Sequence, residues 1–167
     1  ELAKRAEGQA FVTDKMPQNF RFIALICAAF PEAKIVHVQR NAEATCWSNF
    51  KQYFASKGLG YSYSLRDTVA YYGLYKELMH FWCQSYSDRI YHLDYEKLTE
   101  KQEPQTQRLI EHLGLNWEDA CLAPQNNKRS VKTASQQQVR QKVYKGSSQA
   151  WRKYEPFLDG AFDELGT

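Results

Sequence analysis

Arg40 and Ser48 stand eight residues apart, the first closing a β-branched run and the second inside the helical pattern that follows. Seven residues make close to two helical turns, so Ser48 lies near the azimuth of Asn41, back toward the strand end. A guanidinium fork and a hydroxyl donor at that position can hold one phosphate, with modest support from the helix dipole. An arginine there serves equally well as a solvent-facing or salt-bridged residue. Lys15, between Asp14 and Met16-Pro17, sits at the mouth of another expected strand-to-helix turn. It can set a compact positive charge over a reaction centre or pair with Asp14 at the surface. In Lys145-Gly146 the glycine lets the backbone approach a phosphate closely while the ammonium neutralises it.

These residues need elements to bring them together. Residues 10–13 form a short apolar strand candidate, and Pro17 opens a helix with Phe20, Ile23, Cys27 and Phe30 at helical spacing, stopped by Pro31. Residues 33–39 suit a buried strand of a parallel sheet. Asn41 is the expected N-cap of the next helix, whose face carries Trp47, Phe50 and Phe54 and whose stop is Gly58. Residues 58–64 read as a loop. Ser64 with Asp67 resembles a capping box, opening a long helix with Tyr71, Leu74, Leu78, Phe81, Trp82 and Ser85 on its apolar stripe. Residues 90–95 read as a second strand, ending in Tyr95-Glu96. Pro104 begins a further helix with Leu109, Ile110 and Leu113 inward and Gly114 as its stop, residues 123–135 are irregular, and residues 136–144 and 147–165 read as short helices.

Strands alternating with helices predict one α/β domain over residues 1–167, a three-layer α/β/α arrangement with a mostly parallel sheet. Ligands of such sheets gather at the carboxyl ends of the strands, which is where Arg40 falls, with Tyr95 and Glu96 at the same edge if the strands run parallel.

The whole chain has 167 residues, 43% hydrophobic and 25% charged, with a net charge of +3, a composition that excludes disorder and collagen-like repeats. Eight basic residues and no acidic one fall between Ala120 and Tyr154, and the remaining 14 basic and 19 acidic residues leave the rest of the chain at −5. That basic segment attracts anions; a solvated surface, nucleic acid, acidic lipid headgroups and a phosphorylated small molecule all fit it. Tyr144, Trp151 and Tyr154 could stack on bases, but their helical spacing points to packing, and no nucleic-acid partner is expected. The longest apolar run, residues 22–30, is nine residues, against about 20 for a membrane span. No signal peptide is visible and a cytoplasmic protein is expected, although a start without Met suits a cut end. The four cysteines lack a Cys-x-x-Cys pair and are expected as reduced thiols. The four histidines lack ligand spacing, so no metal is expected. Kinase-type and GTPase-type readings fail for want of Gly-x-x-x-x-Gly-Lys-Ser/Thr.

Residues 33–48, AKIVHVQRNAEATCWS, resemble the 3'-phosphate-binding strand-turn-helix of sulfotransferases that use 3'-phosphoadenosine 5'-phosphosulfate (PAPS). Residues 12–17, VTDKMP, resemble the segment with the catalytic lysine in tyrosylprotein sulfotransferases and their bacterial relatives. Tyr95-Glu96 resembles the family's Tyr-Glu strand end, and Lys145-Gly146 with Trp151 resembles its C-terminal nucleotide-binding segment; the matches run in family order from about Ala10 to Leu158. The resemblance implies a P-loop NTPase-like sulfotransferase fold. It is to the C-terminal portion of the family domain, because nothing before Ala10 resembles the glycine-containing loop that cradles the 5'-phosphosulfate, and the chain is expected to be truncated. It further implies that Arg40 and Ser48 bind the 3'-phosphate, Lys145 and Gly146 close over it, Tyr95 and Ser135 lie near the nucleotide, and Lys15 contacts the sulfuryl group or the bridging oxygen. The activity implied is sulfuryl transfer from PAPS, without metal, to a hydroxyl of a protein tyrosine, carbohydrate or small molecule; the sequence names neither acceptor, base nor oligomeric state. The alternative is a non-catalytic remnant that binds adenosine 3',5'-bisphosphate or a protein partner.

Overall fold

Ile35, Val36 and Val38 favour extended backbone, and with His37 and Gln39 they form strand β1 (Ile35–Gln39). Its partner is β2 (Ile90–Asp94). The two run parallel with Ile35 opposite Ile90 and Gln39 opposite Asp94. A computed structural model describes residues 8, 10–54, 57–128 and 138–166. Among these the sheet has two strands, and the helices are α1 (Ile23–Ala29), α2 (Ala42–Phe50), α3 (Leu65–Ser85), α4 (Tyr95–Glu100) and α5 (Gln102–Leu113). The chain is α/β, as the alternating pattern predicts.

Alternation along the strands sends Ile35 and Ile90 to one face, where Ile90 packs with Ile23 and Cys27 of α1 and Met79 of α3, with Ile35 against them. On the opposite face the Tyr91 ring meets His112 of α5 at 4.7 Å. Helices therefore cover both faces. The expectation of buried strands holds for Ile90 and Leu93 of β2 but not for β1, none of whose residues is fully buried and whose Val38 is 54% exposed. With no third strand beyond β1 among the described residues, the Val38 end of that face has less cover.

Polar clamps fix the strand entries. Arg89 donates from Nη2 to the carbonyls of Phe30 (3.1 Å) and Ala33 (2.7 Å), and Ile35 N–H donates to Arg89 O at 3.1 Å. Lys34 Nζ donates to the His112 carbonyl at 2.6 Å, at the end of α5. That helix stops as expected at Gly114, whose φ of +70° supports paired bonds from Gly114 N–H to Glu111 O and from Leu115 N–H to Ile110 O.

Several expectations are corrected. Residues 11–16 form no strand; Phe11 and Val12 are exposed, and no strand among the described residues offers them a ladder. Pro17 opens a 3-10 turn, Pro17–Phe22, and the α-helix starts only at Ile23. Helix α2 ends at Phe50, well before Gly58, and residues 58–64 belong largely to a 3-10 stretch, Lys57–Tyr63, rather than an open loop. On α3 the buried residues are Thr68, Val69, Tyr72 and Met79, while Leu74 and Phe81 are exposed. Apolar residues encircle this helix, so spacing alone does not select its inner face. Ser64 Oγ accepts from Asp67 N–H at 3.2 Å, but Ser64 N–H donates to Tyr61 O, so only half of the capping box forms. Helix α4 is an element that the strand-to-Pro104 reading passes over, and α5 starts at Gln102. Pro104 is tolerated there because N–H groups of a first turn lack intrahelical acceptors.

Beyond Gly114 the described chain forms no α-helix. Short 3-10 turns replace the expected C-terminal helices, interrupted around Asp159 and Gly160, both at positive φ. A β-carbon on Gly160 would lie 2.7 Å from Asp163 Oδ2. The segment still docks firmly at two points. Trp151 is buried edge-on to Phe162, and Leu165 joins Cys46, Val69 and Tyr72 in a second core cluster. Trp151 is thus packing rather than a free stacking platform, and Tyr154 lies against Trp47 at 4.7 Å.

Between the sheet and α3 runs a polar chain. His37 Nε2 bonds the Tyr75 hydroxyl, His37 Nδ1 lies 3.0 Å from His92 Nδ1, and His92 Nε2 lies 3.3 Å from Cys83 Sγ. Burial, helped by the neighbouring His92, depresses His37 from 6.5 to about 4. The unfolded chain keeps His37 near its ordinary value, so from about pH 6.5 down to about pH 4 the unfolded state binds more protons and stability falls with pH. Urea unfolding midpoints measured across this range should decline towards low pH and level off below it. His37→Gln should flatten that slope; an unaltered slope would remove His37 as its source.

Candidate nucleotide-phosphate site

The carboxyl end of β1 turns directly into α2. Asn41 caps the helix as expected, its Oδ1 accepting from Ala44 N–H at 2.9 Å, and Thr45 Oγ1 donates to Asn41 O at 2.9 Å. Arg40 is the single residue between strand and cap. Because Gln39 pairs with Asp94, Arg40 comes level with Tyr95, and its guanidinium lies 5.2 Å over the Tyr95 ring.

A turn more than a hundred residues away completes the arrangement. Gly146, at φ +82°, leads into a 3-10 turn, Ser147–Gln149. Arg40 Nε donates to Ser148 Oγ at 3.0 Å, and Nη2 donates to Ser147 O at 2.9 Å, with Ser147 Oγ at 3.5 Å. The Tyr95 hydroxyl lies 3.3 Å from Ser147 Oγ. Glu96 closes the set: its carboxylate accepts from the Ser148 hydroxyl and, at 3.3 Å to each oxygen, from Asn41 N–H. Among the described residues Arg40 Nη1 has no partner, which leaves one edge of the fork for an anion.

Two clefts flank this cluster. One, of about 320 Å³, lies over the strand ends and is lined by Gln39, Arg40, Tyr72, Lys76, Asp94 and Glu96 among others. The other, of about 90 Å³, lies between α4 and residues 146–149. Within the larger cleft the Lys97 backbone N–H, assisted by the Lys97 side chain, holds Asp94 below the usual carboxylate range. Burial, then Cys46, Glu43 and Glu96, pushes the Tyr72 hydroxyl up to about 12. Asp94 is therefore a weak base at neutral pH and Tyr72 a neutral hydroxyl. Neither is suited to removing a proton there.

The structure brings Arg40, Tyr95 and the turn that follows Gly146 together at the carboxyl end of β1. Lys145, next to Gly146, is exposed and has no hydrogen bond among the described residues. Ser48 is half-buried on α2 and is not bonded to Arg40. Ser135 lies outside the described residues. Lys15 is exposed in the irregular stretch before Pro17, and Asp14 accepts from Asn19 Nδ2 at 2.7 Å rather than pairing with Lys15. Sequence reasoning missed Ser147 and Ser148, although two hydroxyls directly after a glycine were a usable signal. In the sequence Glu96 stands out only as a strand end.

The description "Sulfotransferase family" belongs to the family model that matches residues 1–119. An uncharacterized protein of Aquifex aeolicus (strain VF5) is 39% identical over 166 residues, covering 98% of this chain and 22% of the relative. The chain thus spans about a fifth of that relative's length. No described helix is long and apolar enough to cross a membrane. With the family match extending over well more than half of the sequence, including β1, Arg40 and the Tyr95-Glu96 strand end, the chain belongs to the sulfotransferase family.

Proposed function

We propose that this chain carries the 3'-phosphate site of a sulfotransferase that moves a sulfuryl group from PAPS to an acceptor hydroxyl. The observation that carries the reading is the convergence of Arg40, Tyr95 and the turn after Gly146 at the carboxyl end of β1. The residues fit a phosphate: a fork with one edge unpartnered among the described residues, a glycine turn with no described atom within 4 Å of an added β-carbon, and a lysine beside it.

When bound, the nucleotide supplies a sulfuryl group attached to a phosphate leaving group. Arg40 would donate from Nη1 to the 3'-phosphate, with Ser48 as a further hydroxyl donor, while Lys145 and the Gly146 backbone close over it. Tyr95 and Ser135 border the nucleotide. Lys15 would set its charge where negative charge develops on the bridging oxygen. The acceptor, a protein tyrosine, carbohydrate or small molecule, loses its hydroxyl proton to a base outside this set. Binding without transfer is the second reading, favoured by one observation: Lys15 is exposed, with no hydrogen bond or ion pair to the Arg40 cluster.

Charge-assisted hydrogen bonds contribute about 1.5 to 3 kcal/mol, so Arg40→Ala should weaken adenosine 3',5'-bisphosphate binding by roughly 10- to 150-fold in calorimetric titration. Arg40→Lys should recover only part, since the charge remains but the fork is lost. AMP binding should change little; equal losses for both nucleotides would make Arg40 a scaffold residue. In a sulfuryl-transfer assay, Lys15→Ala should lower turnover far more than nucleotide affinity, because its charge acts on the transition state. Unchanged turnover would favour the binding-only reading.

A further inference from the structure

Glu96 is an anomaly at a site read as anion-binding. Its carboxylate lines both clefts and sits one hydroxyl away from Arg40. A bare negative charge there opposes a phosphate, yet the bonding pattern gives it a different task. Asn41 N–H belongs to the turn between β1 and α2, and Ser148 belongs to the turn after Gly146. Glu96 accepts from both and so ties together two segments 107 residues apart.

The direction of the Ser148 proton matters. Since Glu96 is an acceptor, the Ser148 hydroxyl donates to it, and a lone pair of Ser148 Oγ is left to face Arg40 Nε. A serine free to rotate could donate elsewhere and release that edge of the guanidinium. Burial strengthens the effect, because Ser148 is only 4% exposed and exchanges partners with water poorly.

We infer that Glu96 is a positioning residue, which orients the Ser148 hydroxyl and anchors the Asn41 turn so that Arg40 presents its Nη1 edge outward. The carboxylate touches no ligand in this scheme; it acts through Ser148 and Arg40. Its geometric part stands on the bonds above. Its effect on nucleotide binding rests on the proposed 3'-phosphate reading.

Two measurements on the whole chain separate these parts. The first is hydrogen exchange of Arg40 Nε–H and Asn41 N–H by NMR without nucleotide; the second is affinity for adenosine 3',5'-bisphosphate and for AMP. Glu96→Ala should speed exchange at both groups and weaken bisphosphate binding by about tenfold, leaving AMP unaffected. Glu96→Gln keeps an accepting oxygen and should return bisphosphate affinity to within about threefold of the parent. Ser148→Ala should speed exchange at Arg40 alone and weaken bisphosphate binding, and it carries the test should Glu96→Ala not fold. Unchanged Arg40 exchange in these variants would overturn the inference. So would tighter bisphosphate binding by both Glu96 variants, which would mark the carboxylate as a repelling charge only. A parent chain that binds both nucleotides equally would defeat the 3'-phosphate reading, and the exchange rates would still decide the role of Glu96.

Discussion

Parallel pairing of Gln39 with Asp94 sets the geometry from which the site grows. One residue beyond that pair, Arg40 and Tyr95 leave the ladder side by side, Arg40 just before the Asn41 cap of α2 and Tyr95 as the first residue of α4. A slip of one residue would turn one of the two away from the face the other occupies. The register is defended from the other end of the strands, where Ile35 packs against the cluster containing Ile90, and where Arg89 holds the carbonyls that precede β1. Apolar packing and one half-buried guanidinium thus align a second guanidinium at the far end.

What lies on that framework is a sequence of donors and acceptors with little slack. Arg40 is held by two serines and an aromatic face, Ser148 by Glu96, and Glu96 by the backbone that leads out of Arg40 itself. The loop of bonds closes on its starting residue. Cationic character alone, as supplied by the basic C-terminal segment, would attract anions without such discrimination. The polar chain through His37 and His92 is of another kind, linking the sheet to Tyr75 and Cys83 of α3.

Strand positions were legible because β-branched runs bounded by turn residues leave few alternatives, and the Asn41 cap followed from its place before an apolar pattern. The inner face of α3 was not legible, since Leu74 and Phe81 are as apolar as the residues that are actually buried. Residues 10–13 carried the composition of a strand, but strand formation requires a partner, and composition holds no record of partners. The site was half legible. Arg40, Tyr95 and Gly146 are visible through residue type and position, whereas Ser148 and Glu96 matter through a contact between distant segments. Such long-range hydrogen bonds leave no periodic trace in the chain.

The 3-10 turns that carry Ser147 and Ser148 are joined to the rest of the site by a small set of anchors. They form no α-helical ladder of their own, and their anchorage rests on Trp151, Leu165 and the bonds to Arg40 and Glu96. Local opening needs only the contacts that anchor a segment to break, not the whole fold. Detaching the C-terminal turns would break the bonds to Arg40 and Glu96 but none of the β1–β2 ladder, so the guanidinium site can be lost without loss of the sheet beneath it.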